Sequence, residues 1–192
     1  MPKSPMMLRR LLVMLASGIF AATAFTGTGH AATGHGQHAL FEQQAERLGL
    51  TTTERQSLQS RVDGYLKRTG GTQVAVNKVS LDNGKGYILL TLPGERTARD
   101  ISAAAHPSFH GCAYYFFCAF QSVSFEGDVN AWSDCDVDEI SFIGYGSWVN
   151  NQTPGTRAQF KDESRVTRWT DSGAPTEDNS ADWNWVFFVK AC

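Results

Sequence analysis

The four cysteines are the residues whose chemistry the sequence constrains most. All of them lie in the C-terminal part of the chain, at Cys112, Cys118, Cys135 and Cys192. An even number of cysteines in an exported chain is typical of disulfide bonds, and four cysteines allow three pairings. Zinc binding is the alternative, since His106 and His110 precede the first cysteine, but Pro107 interrupts the helix on which two histidine ligands would share a face. The sequence therefore predicts disulfides and no metal site.

Carboxylates form a second set of candidate side chains. Three of them alternate along residues 133–140, at Asp134, Asp136 and Asp138. Oxygen ligands of this kind suit calcium, but an EF-hand loop is excluded because Glu139 stands where that loop needs glycine and Tyr145 where it needs glutamate. We expect solvated acids in an exposed loop.

A second polar stretch, residues 171–182, predicts another long loop, in which Pro175 limits the freedom of the backbone. Trp169 precedes it and is the tryptophan that we expect to be exposed. The candidate partner-binding residues are therefore Asp134, Asp136, Asp138, Trp169 and Pro175.

Catalysis is not expected of this chain. A hydrolase needs a nucleophile, a base and an orienting acid, and residues 112–192 contain no histidine. The chain also lacks a G-x-S-x-G nucleophile turn and an H-E-x-x-H zinc helix. The sequence predicts no catalytic residue and no cofactor.

Charge divides the chain into two unlike parts. Residues 112–192 carry twelve acidic and five basic side chains, and residues 1–111 carry twelve basic and seven acidic ones. An acidic domain argues against a nucleic-acid partner, which would require a basic face. Lys3, Arg9 and Arg10 precede an apolar run over residues 11–20 that is too short to span a bilayer. This pattern predicts a signal peptide over residues 1–31, a secreted monomer and no membrane contact of the mature form.

Helical periodicity follows a predicted flexible segment over residues 32–38. Thr51 and Glu54 have the spacing of a capping box, which starts a helix. Its apolar face consists of Leu58, Val62, Tyr65 and Leu66. Gly70-Gly71 marks the end of this helix. Apolar strands then flank Asp82-Asn83-Gly84, which is a strong hairpin signature.

These patterns divide the mature chain into three parts. Residues 39–92 are predicted to form a helical segment plus a β-hairpin, and residues 93–111 a linker. Residues 112–192 hold short aromatic strands separated by turn residues, with all five tryptophans, and predict an all-β sandwich.

One spacing within the all-β part resembles the Greek-key motif of βγ-crystallins. It consists of Phe120-x4-Phe125-x-Gly127, with Ser147 twenty residues after the glycine. In that motif the first hairpin folds back on itself, an aromatic ring covers the fold, and the glycine adopts a conformation that a Cβ atom would penalise. The resemblance implies that Ser147 hydrogen-bonds into the folded hairpin. Phe160 has no glycine seven residues later, so the motif is not repeated in residues 156–192.

The cysteine spacing Cys112-x5-Cys118 lies directly before this motif. In this combination, the chain resembles members of the actinobacterial secreted peptidase inhibitor family of the metalloproteinase-inhibitor type. The similarity covers residues 112–153. It implies the pairing Cys112–Cys118 and Cys135–Cys192, whereas geometry leaves Cys118–Cys135 with Cys112–Cys192 open. It also implies that the chain inhibits an extracellular peptidase. The alternative is a carbohydrate- or cell-wall-binding module without catalytic activity, which the five tryptophans would suit.

Overall fold

The computed structural model describes residues 34–81, 84–102 and 108–192; the predicted signal peptide and the Asp82-Asn83 turn lie outside them. This part of the chain is mostly β-sheet and begins with two helices, α1 (Gly34–Arg47) and α2 (Thr52–Thr69). The mostly-β architecture with a helical N-terminal segment, predicted from the sequence, is confirmed.

Thirteen strands follow the helices in the described residues. They are β1 (Thr72–Ala75), β2 (Lys78–Leu81), β3 (Gly86–Leu89), β4 (Ser108–Phe109), β5 (Cys112–Ala113), β6 (Phe117–Ser122), β7 (Glu126–Trp132), β8 (Val137–Glu139), β9 (Tyr145–Asn150), β10 (Gln159–Lys161), β11 (Thr167–Thr170), β12 (Thr176–Asp182) and β13 (Phe188–Lys190).

Local sequence rules account for the borders of α2. The Thr51 N–H donates to the Glu54 carboxylate at 2.8 Å, and the Glu54 N–H donates to the Thr51 hydroxyl at 3.3 Å, which is the predicted capping box. Gly70 ends the helix at φ 67°. The preceding helix starts at Gly34, earlier than the predicted flexible segment over 32–38 allows. It is held by buried Ala45 and by the Gln44 side chain, which accepts the Val76 N–H at 2.7 Å.

The hairpin after α2 contains one more turn than the sequence predicts. Residues 76 and 77 reverse the chain, so that β1 and β2 pair antiparallel where the alternating valines predict one strand. Asn77 holds this turn in place, because its buried amide donates to the carbonyls of Leu90 at 2.9 Å and Arg99 at 3.0 Å. The predicted pairing across Asn83-Gly84 is present, between β2 and β3.

The hairpin is part of the main sheet. The sequence predicts a unit over residues 39–92 that is joined to the sandwich by a linker over 93–111. In the structure, β3 pairs directly with β7 of the sandwich, with Leu89 opposite Val129. Residues 108–109 of the predicted linker also form a strand, which pairs with β5. The two parts therefore share one seven-stranded sheet, in the order β1-β2-β3-β7-β6-β9-β12.

A four-stranded sheet, in the order β11-β10-β13-β8, completes the sandwich. The strands β6–β9 and β10–β13 form two successive groups of four, and the third strand of each group crosses to the opposite sheet. Thus β8 pairs with β13, and β12 pairs with β9. The core between the sheets is aromatic, and its largest members are Phe117, Trp132, Phe142, Trp148, Phe160 and Trp183.

The second group of strands forms without the glycine that the first contains. The hairpin between β10 and β11 turns at Arg165, which adopts φ 62°, and the Asp162 carboxylate holds the turn. This carboxylate accepts the backbone N–H groups of Ser164 and Val166, both at 3.0 Å, and the Arg168 guanidinium at 2.6 Å. The bond from Arg168, with those from the backbone, lowers the pKa of Asp162. An acid-capped turn thus replaces the glycine turn.

Candidate functional site

The four motif residues lie together at the folded hairpin between β6 and β7. The buried Ser147 hydroxyl accepts the Phe125 N–H at 2.9 Å and donates to the Ser122 carbonyl at 2.7 Å. Phe120 packs edge-on against Phe125, with ring centroids 5.7 Å apart. Gly127 has φ 81°, and a Cβ atom there would lie 2.9 Å from the Gln121 side chain. This cluster fixes the hairpin and has no open face for chemistry.

The structure pairs Cys112 with Cys118 and Cys135 with Cys192. This is the pairing that the family resemblance implies. The first bridge closes a short bend ahead of β6. The second joins the start of β8 to the C-terminus, so it braces the four-stranded sheet near the loops at that end.

The predicted acidic loop over residues 133–140 is largely tethered. Asp138 lies within β8, in register with Val189. Asp134 and Asp136 stand outside the strand, each with a carboxylate oxygen 3.6 Å from the Lys85 ammonium. The Ser133 hydroxyl donates to the carbonyl of the same lysine at 2.7 Å. The three aspartates therefore do not form one outward-facing acidic surface.

The predicted long loop over residues 171–182 is not present. Residues 176–182 form β12, the end strand of the seven-stranded sheet, so only residues 171–175 connect it to β11. Asp171 is fully buried and holds this connection, because its carboxylate accepts the Asn150 amide at 2.7 Å and the Ala158 N–H at 3.0 Å. Pro175 lies within this short, fixed connection. Its side chain is exposed, but it belongs to a five-residue connection and not to a long loop.

Trp169 is exposed, as predicted, with 45% of its surface accessible. Its inner face packs against Trp148 and Phe160, with ring centroids 5.6 and 4.9 Å away. It is thus a rigid surface side chain at the rim of the aromatic core.

The loop that carries the most exposed large apolar side chain of the described residues was not predicted from the sequence. Residues 140–144 connect β8 to β9, and Ile143 within them is 83% exposed, the highest value for any large apolar side chain in the described residues. Its neighbours Ile140 and Phe142 are both 5% exposed and belong to the aromatic core. The loop therefore presents one highly exposed aliphatic side chain directly after two buried anchors.

Hydrogen bonds hold the backbone of this loop on both sides of Ile143. The Ile140 N–H donates to the Phe187 carbonyl at 2.9 Å. Gly144 has φ 89°, donates to the Asn184 side chain at 3.1 Å and accepts the Trp183 N–H at 2.8 Å. Residues 140–144 carry no charge, and their exposed side chains are those of Ser141 and Ile143, on a backbone that these hydrogen bonds hold. Such a loop can occupy a pocket on another protein, because an ordered loop loses little entropy on binding.

Only one sequence feature could have drawn attention to Ile143, namely the glycine that follows it. Apolar residues are read as core by default, and Ile140, Phe142 and Ile143 form an apolar run. The strand that ends at Glu139 and the turn at Gly144 decide which of them faces outward, and both depend on distant partners.

Within residues 34–81, 84–102 and 108–192, the structure shows no group of three or more His, Cys, Asp or Glu side chains placed to bind a metal ion. Of the helices in these ranges, none has both the length and the apolar character needed to cross a membrane. No protein-family model matches the chain, and no curated protein or solved structure matches it either.

Proposed function

We propose that this protein is a secreted inhibitor of an extracellular metallopeptidase, and that it inserts Ile143 into an apolar pocket of the peptidase cleft. The observation that carries the proposal is the 83% exposure of Ile143 in a loop that is anchored by the buried Phe142 before it and by the hydrogen-bonded Gly144 after it. The exported character of the chain and the choice of peptidase class come from the sequence and its family resemblance.

The energetics of binding favour such a loop. Burying an isoleucine side chain contributes about 1.5–3 kcal/mol, and a well-packed central side chain often dominates the affinity of an interface. The anchors at Ile140 and Phe142 have already fixed the backbone, so most of this contribution is retained on binding. A rigid loop also leaves its pocket slowly, which is the property that an inhibitor needs.

The other two loops support the proposal less well. The aspartates at 134 and 136 face the Lys85 ammonium, and Asp171 is buried under hydrogen bonds. Asp134 and Asp136 would exchange their contact with Lys85 for the metal, and Asp171 would have to leave its buried hydrogen bonds. The 140–144 loop loses no hydrogen bond when Ile143 enters a pocket.

The scaffold is proposed to be a βγ-crystallin-like double Greek key. Two observations support this assignment. The third strand of each four-strand group crosses to the opposite sheet, and Ser147 bonds into the folded hairpin. The fold alone does not specify the function, which depends on the loops.

The test is a titration of purified protein into fixed amounts of secreted metallo- and serine peptidases. Residual hydrolysis of a peptide substrate is measured after incubation. We expect metallopeptidase activity to fall linearly with added protein to about one equivalent. Protein that has been reduced and alkylated should have no effect, since the bridge from Cys135 to Cys192 braces the sheet that carries the loop. Full activity of every peptidase in an excess of the protein would refute the proposal.

A further inference from the structure

A groove runs along the open edge of the sandwich. The strands β11 and β12 are the end strands of their respective sheets and do not pair with each other. Between them lie two adjoining depressions of about 430 and 230 Å³, which share Trp148, Trp169 and Asp178. The groove is large enough to receive a chain of small rings rather than a single ion.

The groove has aromatic walls that are held in place from beneath. Trp169 and Trp185 line it and are 45% and 37% exposed, respectively. Trp169 is supported by Trp148 and Phe160, which fix the orientation of its indole. A half-exposed indole with a fixed plane is suited to stacking on a flat, weakly polar face, such as the C–H face of a pyranose ring.

The polar groups of the groove are predominantly acidic. Its lining contains three carboxylates, those of Glu177, Asp178 and Asp182, and one cationic side chain, that of Arg157. Arg157 donates its Nε–H to the Asp171 carbonyl at 2.7 Å, and Glu177 lies 2.9 Å from the His110 imidazole. Asp178 lines both depressions, and its carboxylate accepts the Ser180 N–H at 2.9 Å. This charge distribution repels polyanions and favours ligands that carry ammonium groups.

We propose that the groove binds an amino-sugar oligosaccharide with free amino groups, of the glucosamine type. The pyranose faces stack on Trp169 and Trp185, while the ammonium and hydroxyl groups donate to the carboxylates of Asp178 and Asp182. Both features of the groove are then used by one ligand. A neutral glycan would form no ion pair with the acidic side chains of the groove, and an anionic glycan would be repelled by them. The proposal is independent of the inhibitor function, because the groove shares no residue with the 140–144 loop.

Tryptophan fluorescence provides the test, with glucosamine, N-acetylglucosamine and galacturonic acid tetramers as the probes. We expect saturable binding of the glucosamine tetramer, roughly tenfold weaker binding of the N-acetylated tetramer and no response to galacturonate. Trp169→Ala should weaken glucosamine binding roughly tenfold or more. Tyr115→Ala is the matched control, since that ring is 59% exposed outside the groove.

Asp178→Asn keeps the size of the side chain and removes its charge. It should weaken binding of the glucosamine tetramer and leave binding of the N-acetylated tetramer unchanged, so it tests the charge without disturbing the aromatic walls. Equal affinity for the two tetramers, binding of galacturonate, or no saturable response to glucosamine would overturn the proposal. Peptidase inhibition by Trp169→Ala should equal that of the unmodified protein, which separates this site from the inhibitory one.

Discussion

Replacing Asp128 with alanine removes the acceptor at the centre of the contact between α2 and the sheet. Asp128 lies in β7 and is 3% exposed. Its carboxylate pairs with the Arg61 guanidinium and accepts the Tyr65 hydroxyl at 3.1 Å and the Thr91 N–H at 3.0 Å. Burial raises the pKa of Tyr65, and the neighbouring Asp128 charge raises it further, so this hydroxyl stays protonated and continues to donate.

The expected loss of stability follows from the groups that would be left without an acceptor. The buried Tyr65 hydroxyl and the partly buried Thr91 N–H would each lose an acceptor, at about 1–1.5 kcal/mol apiece. The Arg61 side chain is 37% exposed, so water compensates part of its lost ion pair, and we discount that contribution to about 1 kcal/mol. We therefore expect Asp128→Ala to lower the free energy of unfolding by about 3 kcal/mol. Asp128→Asn retains an acceptor and should lower it by less.

Urea unfolding should be followed by two probes. Fluorescence reports the sandwich, because all five tryptophans lie there, and far-ultraviolet circular dichroism reports the helices. Both transitions should shift together, since α2 packs on the hairpin strands, and these strands belong to the same sheet as the sandwich. Asp136→Ala is the control: its side chain is 72% exposed, and its removal should change stability by about 0.5 kcal/mol or less. A loss below about 1 kcal/mol for Asp128→Ala, or a helix that melts separately from the sandwich, would refute this reasoning.

Three further predictions concern the scaffold. Gly127→Val should lower the free energy of unfolding by about 2 kcal/mol or more, because the residue has φ 81° and its side chain would meet Gln121; an unchanged urea midpoint would contradict this. Thiol titration of denatured, unreduced protein should detect no free cysteine, and two or more reactive thiols would contradict both bridges. Burial raises the pKa of Asp100, but hydrogen bonds from Lys78 and Ser102 outweigh it and set the pKa below the ordinary 3.8. The stability that Asp100 contributes is therefore present above pH 3.8 and is lost as the pH falls through the lower pKa of the folded state. In thermal melts, acidification should lower the melting temperature of Asp100→Asn less than that of the unmodified protein. An identical dependence of the melting temperature on pH in the two proteins would refute this.

The features that the sequence predicted correctly are those with local causes. The borders of α2 depend on Thr51, Glu54 and Gly70, all within a few residues of the helix ends. The folded hairpin at Gly127 likewise depends on a short motif and one serine. Such features can be read from spacing, because the partners are near each other along the chain.

The features that it missed depend on distant partners. β3 pairs with β2 of its own hairpin and also with β7, about forty residues later. Nothing in the sequence near β3 indicates this second pairing. The segment over 176–182 reads as a loop because it is polar, yet it forms β12 at the edge of a sheet, where one polar face meets solvent. The buried Asp171 makes this possible by fixing the connection that precedes the strand.

The most direct test of the proposed function compares two variants in peptidase inhibition. Ile143→Asp places a charge at the tip of the 140–144 loop, and Leu40→Asp makes a similar change on α1, where Leu40 is 57% exposed. Both variants should be as stable as the unmodified protein within about 0.5 kcal/mol, because both side chains are exposed. The inhibition constant for the most sensitive metallopeptidase should rise roughly a hundredfold for Ile143→Asp and stay unchanged for Leu40→Asp. Equal inhibition by the two variants would contradict the assignment of Ile143 as the inhibitory residue.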